Sequence, residues 1–257
     1  MDQGKDDMIF ANLLTEAFFW IRHPESSVIG SDISSRVMEH LEMTGLALAF
    51  ALVPALAAGL AIGHTRRAEF ITISIANLGR AIPSLAILAF VFPITLELGL
   101  GLSNWPAIVT LFVLAIPPIL TNTYVGIRDV DPDVLEAARG MGMSEVQILR
   151  KVEVPLATPL IVAGIRTASV QVIATATLAA LVAGGGLGRF IIDGFATQEY
   201  QVVLGGAFLV ALLAVATELG FGVLEKALAP GGFRRKTSFA PAYTDIGQSP
   251  HAADVAG

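Results

Sequence analysis

Within its apolar stretches, this 257-residue chain has few groups able to do chemistry: Arg166 and Glu218, with the other charges peripheral. An intramembrane enzyme needs paired ionisable groups at matched depth, and these stretches contain no His or Asp pair. His23, His40, His64 and His251 lack ligand spacing, so no metal centre is expected. Zero cysteines exclude a thiolate ligand set, a disulfide framework and a Cys nucleophile. No Gly-x-x-x-x-Gly-Lys-Ser/Thr phosphate loop occurs. Gly184-Gly185-Gly186-Leu187-Gly188 lacks the lysine and reads as a tight turn or a close backbone approach. The informative pattern suits docking. Glu136-Ala137-Ala138 is followed by Gly142, six residues after the Glu, and by Pro155, thirteen after that Gly. It lies in the largest charged loop of a very apolar protein.

The elements that must carry this loop are membrane helices. The chain is 54% hydrophobic and 15% charged, with mean hydropathy +0.70, against about 25% charged for a soluble domain. A net charge of −6 without a basic stripe argues against nucleic acid. Residues 1–7 are polar and acidic, so no cleavable signal peptide is expected. A span needs about 20 mostly apolar residues. Five are expected, at Thr44–Gly63, Ala81–Glu97, Trp105–Ile127, Pro159–Ala183 and Tyr200–Leu224, giving an all-α polytopic membrane protein. A short interfacial piece should precede Arg80 and Pro83. Pro117-Pro118 should bend the third span, and Trp105 reads as an interface anchor. Met8–Ile21 is short and interrupted by Asn12, Thr15 and Glu16, which suits an interfacial amphipathic helix. Lys and Arg gather after spans one and three and in the tail, placing the N-terminus outside and the C-terminus in the cytoplasm. The expected organisation is an extracytoplasmic segment 1–43, a transmembrane domain 44–229 with its loop at 128–158, and a disordered tail 230–257.

Loop 128–158 has helix grammar. Asp131-Pro132 is an N-cap followed by a proline at the first helical position. Val134, Leu135 and Ala138 form a partial apolar face, and Gly140 or Gly142 can end the helix in a left-handed turn. Ser144-Glu145-Val146-Gln147 fits a capping box. A second helix offers Val146, Ile148, Leu149 and Val152 and should stop at Val154-Pro155. Small Ala137 and Ala138 beside Glu136 would let another protein approach. A folded loop with no partner fits the same grammar.

The run EAARGMGMSEVQILRKVEVP resembles the EAA loop of ABC-importer permeases. It matches at Glu136, Ala137, Ala138, Gly142 and Pro155, with Val152 and Val154 where Ile and Leu are usual. The resemblance spans roughly residues 38–225. Glu39-His40-Leu41, Ala81-Ile82-Pro83-Ser84-Leu85, Pro118–Tyr124, Gly164-Ile165-Arg166-Thr167-Ala168 and Gly184–Gly188 are similar to the permeases for glycine betaine, carnitine, choline and proline betaine. Methionine-importer permeases share the general plan.

This resemblance implies two permease subunits, alike or different, over two ATPase subunits, with each EAA loop in a groove of one ATPase. ATP would sit on the ATPase, an external binding protein would deliver the solute, and the chain itself would bind no cofactor and catalyse nothing. It also implies a bacterial inner-membrane location and docking through Glu136, Ala137, Ala138, Gly142, Val152 and Pro155. Candidate pathway or gate residues are Asn122, Tyr124, Arg166, Gln171 and Thr175. Arg166 could line a gate or snorkel to headgroups. Glu218 could pair across the bundle or reach water. Asn122, Thr121, Thr123, Gln171, Thr175 and Thr177 could line a path or bond helix to helix. Scarce Trp and Tyr make an aromatic cage for a quaternary ammonium improbable, so selectivity belongs to the binding protein. Competing readings are a permease for another solute, methionine first, and a self-contained carrier, for which the chain lacks the internal repeat often seen.

Overall fold

The computed structural model describes residues 3–27, 32–67, 81–100 and 102–228, together with 70, 74 and 79; residues 3–10 are described by backbone alone. The expected interfacial piece before Pro83, Arg80 and the tail 230–257 lie mostly or wholly outside the described residues. Regular structure among the described residues is helical throughout.

The bundle is built on a seam of small side chains. Helix α2 (Ile33–Thr65) buries Met43, Ala47, Ala51, Ala55, Gly59 and Gly63, one residue every four. That spacing keeps them in one row along the helix. The row lies against α4 (Trp105–Arg128). A Cβ on Gly59 would stand 2.7 Å from Thr123 Cβ, and one on Gly63 2.7 Å from Ile127 Cβ. Both positions need glycine because the two backbones touch, as small-residue seams allow in membranes. The rising pairs 59/123 and 63/127 show that α2 and α4 run parallel. Helix α3 (Ser84–Glu97) comes between them in sequence and packs on α4.

Helix α2 starts eleven residues before the expected span. Asp32 caps it, its carboxylate accepting from Ser35 N at 3.1 Å. The Ser34 hydroxyl and that amide hold the Asp32 carboxyl below its usual range, so the cap is lost only as pH falls below the ordinary carboxylate range. The extension carries Glu39 and His40 out of the segment expected to be separate.

Helix α4 runs unbroken through Pro117 and Pro118, both buried, and the Asn122 amide donates to Pro118 O at 2.8 Å. It leads into α5 (Pro132–Gly140) and the single-turn α6 (Glu145–Ile148). The expected stop at Val154-Pro155 does not occur. The chain widens into a π turn at Leu149–Glu153 and continues as α7 (Val154–Thr175). Pro155 has no N–H, and its ring would clash with the carbonyl four residues back in a regular helix. A π turn relieves that conflict without ending the helix. Helix α7 returns antiparallel to α4, with Gly126 against Ala157 and Gly164 against Asn122 and Pro118 O. Beyond Thr175 it tightens to a 3₁₀ stretch, Ala176–Val182, closed by Ala183 at φ 61°.

Helices α8 (Gly188–Thr197) and α9 (Tyr200–Leu228) complete the bundle. Four described helical runs are long and apolar enough to cross a membrane: α2, α4, Glu145–Val182 and α9; α3 is a shorter apolar helix. Helix α1 (Gln3–Arg22) is longer than Met8–Ile21. Its Ala17 and Trp20 are buried, and Trp20 lies on Gly205 and edge-on to Phe190, 5.0 Å between centroids. Phe18 meets Phe208, so α1 runs antiparallel to α9, with Ala17 and Trp20 against protein and Leu14, Phe18 and Phe19 left exposed.

Candidate functional site

One end of the bundle carries the 128–158 loop. Asp131 caps α5 through Asp133 N, and Ser144 and Gln147 form the expected capping box. Gly142 takes φ +81° between the two helices. Arg139 donates to Glu145 at 2.9 and 3.2 Å, bracing α5 against α6. Leu135, Ala138, Ile148 and Val130 close a small core, with Val152 packed on it. The expected docking residues therefore divide. Glu136, Ala137, Gly142 and Pro155 are exposed. Ala138, 2% exposed, belongs to the core of the knob and cannot offer a surface as the sequence suggested. Val134, expected on the inner face, is exposed, as are Met141 and Val146. Met141 is an apolar surface residue that the motif gave no reason to choose.

At the opposite end, two stretches quoted separately from the sequence meet. Three successive amides of the glycine turn find acceptors on other elements. Gly185 N donates to Asn104 Oδ1 at 2.8 Å, Gly186 N to Glu39 Oε2 at 2.8 Å, and Leu187 N to His40 Nδ1 at 3.3 Å. His40 Nε2 reaches Ile173 O at 2.9 Å. With Nδ1 accepting, the ring proton sits on Nε2 and donates to that carbonyl. Gly186 needs its freedom, with φ +83°. A Cβ on Gly185 would collide with the Glu39 carboxylate. Arg36 closes the cluster by donating to Glu39 at 2.9 Å. Asn104 carried no sequence signal as a partner of this turn.

Between these ends, Gln171 and Thr175 line a cavity of about 410 Å³ with Gly79, Ile82, Pro83, Ser84 and Leu114. Its wall is mixed polar and apolar and, among the described residues, carries no charged side chain. The other pathway candidates lie elsewhere. Asn122 sits at the α4–α7 crossing beside Gly164. Tyr124 is 1% exposed, and its hydroxyl accepts from Arg128 at 2.9 Å. Arg166 bridges α7 to α9, 2.9 Å from Glu225 and 3.5 Å from Glu218. Glu225 was not foreseen as its partner. The hydroxyls of Thr121 and Thr123 are buried without a hydrogen-bond partner among the described residues.

The sequence pattern of the binding-protein-dependent transport system inner membrane component family matches residues 43–230. The chain is 38% identical over 206 residues to the choline transport system permease protein OpuBB of Bacillus subtilis, covering 80% of this chain and 93% of that one. It is 38% identical to the carnitine transport permease protein OpuCB of Listeria monocytogenes, covering 80% and 92%. It is 32% identical to the osmoprotectant import permease protein OsmW of Salmonella typhimurium, covering 79% and 94%. Among solved structures, it resembles an inward-facing form of the MetNI methionine ABC transporter, with TM-score 0.67 and 26% identity over 77% of this chain and 96% of that one. A multi-pass helical bundle whose residues 43–230 match this family, and whose relatives are transport permeases over most of their length, makes this chain an ABC permease, a non-catalytic transmembrane component of the binding-protein-dependent transport system inner membrane component family.

Proposed function

We propose that this permease imports quaternary-ammonium osmoprotectants of the glycine betaine, choline and carnitine class. The observation that carries the reading is 38% identity across 93% of the length of a choline permease. ATP is bound by a separate ATPase, which docks on the exposed face of loop 128–158 around Glu136, Ala137 and Gly142. Met141 and Val146 supply apolar contact there. A second permease subunit completes the pathway, and an external binding protein delivers the solute. The loop end of the bundle, with Arg66, Arg128, Arg139, Arg150, Lys151 and Lys226, faces the cytoplasm by the positive-inside rule. The glycine turn and the segment before α2 face outward.

The pathway runs past Gln171, Thr175 and Ser84. A mixed polar and apolar wall, uncharged among the described residues, suits a zwitterion or a quaternary cation in transit, because tight charge pairing would hold the solute back. Asn122, Tyr124 and Arg166 shape this wall through helix contacts. The likeness to a methionine transporter supplies the second reading, a methionine permease.

The test is uptake of labelled glycine betaine, choline, carnitine and methionine at high osmolarity. Cells with and without this permease are compared, keeping its binding protein and ATPase. Uptake of a quaternary ammonium lost with the permease and restored by re-expression establishes the class. Loss confined to methionine replaces it with the second reading.

A further inference from the structure

One buried polar contact at the loop end has no part in the fold-wide seams. His64 stands in the last turn of α2. Its Nδ1 lies 2.6 Å from Glu153 Oε2, and its Nε2 lies 3.6 Å from Glu145 Oε2. Glu153 is 3% exposed and sits in the π turn that joins α6 to α7. Among the described residues, His64 is its only side-chain hydrogen-bond partner. Glu145 opens α6 and is held from the other side by Arg139 of α5. One imidazole thus joins the end of α2 to the start of α6 and to the π turn that follows it.

That placement matters mechanically. The knob is covalently continuous with α4 on one side and α7 on the other. Helix α2 is remote in sequence; beyond its apolar seam with α4, its side-chain polar link to the knob among the described residues is His64. We propose that His64 is a positioning residue that makes α2 follow the 128–158 loop when that loop is displaced, so that motion of the loop becomes motion of the first long span. The proposal rests on the reading of this loop as the ATPase docking surface.

The chemistry of the ring gives this link a signature. A doubly protonated imidazole has two donors, one for each carboxylate; a neutral ring has one donor and one lone pair. Glu145 has Arg139 as a hydrogen-bonded second cation; Arg139 also acts on Glu153 across space, but among the described side chains only His64 hydrogen-bonds that buried carboxylate. Among the described residues, the remaining charges close to this end of α2 are engaged elsewhere or exposed. Arg128 of α4 donates to Tyr124, and Arg66, Arg67, Asp129, Arg150 and Lys151 are exposed. Both contacts therefore depend on a side chain that can face two carboxylates at once.

The complete transporter (permease, ATPase and binding protein) in liposomes tests this. The readouts are ATPase recovered on purification and solute imported per ATP hydrolysed. His64→Gln should retain the ATPase but lower the import ratio about fivefold, the low end of coupling between linked sites. His64→Lys, which keeps a multiple donor facing both carboxylates, should restore the ratio. Glu153→Gln, which removes the partner of the ring, should lower it as His64→Gln does. A His64→Gln transporter with the wild-type ratio overturns the proposal alone. Absence of the ATPase from the wild-type preparation overturns the docking reading and this proposal with it.

Discussion

No atom lies within 4 Å of a Cβ built on Gly142, so only the backbone restricts that position. At φ +81°, a β-branched residue adopts a conformation that costs roughly 1–2 kcal/mol. Gly142→Val should therefore abolish uptake while leaving the permease inserted, as judged by its amount in washed membranes. Full uptake would mean that the turn between α5 and α6 need not keep its shape. Glu136 has a different kind of exposure: a charge with room around it. Glu136→Lys should reduce the ATPase that co-purifies in detergent, and unchanged recovery would move the contact to Met141 and Val146. Residue-scale reading succeeded where chemistry is local. The Asp131 cap, the Ser144–Gln147 box and the left-handed Gly142 all follow from neighbours three or fewer positions away. It failed at Ala138, because small size was taken for accessibility, whereas this alanine fills the core beside Leu135 and Ile148.

Between helices, glycine positions differ in cost. Gly59 meets Thr123 at 2.7 Å, whereas nothing lies within 4 Å of a Cβ on Gly45 in the same helix. Gly59→Leu should overpack the α2–α4 seam by about 1–3 kcal/mol or more, seen as aggregation of the detergent-purified protein on size-exclusion chromatography. Gly45→Ala should be neutral or stabilising by about 0.5–1 kcal/mol through helix propensity. A tolerated Gly59→Leu would show that the two helices separate readily. Spans were legible in the sequence because lipid imposes long uncharged runs, and four described runs meet that demand. Their ends were less legible. Polar residues such as Glu39 and His40 continue a helix when distant backbone amides satisfy them, and no local signal announces Gly186 or Leu187 as the partner. Pro155 misled for a related reason. A proline normally ends a helix, but a π turn before it lets the knob flow into α7.

At the scale of the molecule, the glycine turn and the 128–158 loop occupy opposite ends of a bundle with the Gln171–Thr175 cavity between them. Replacing Gln171 and Thr175 together by leucine should lower uptake without loss of ATPase binding, because these side chains line the cavity and lie far from the knob. Equal uptake by the double variant would move the pathway away from this wall. The contact of α1 with α9 has a consequence for how the protein is made. Trp20 leaves the ribosome early, but its seat at Gly205 and Val202 is among the last pieces of the described chain to be synthesised. Every intervening helix must enter the membrane while α1 waits with its indole uncovered. A stop codon after Gln198 should leave α1 exposed to added protease, and the complete chain should protect it. Biogenesis of this permease thus finishes where its sequence begins.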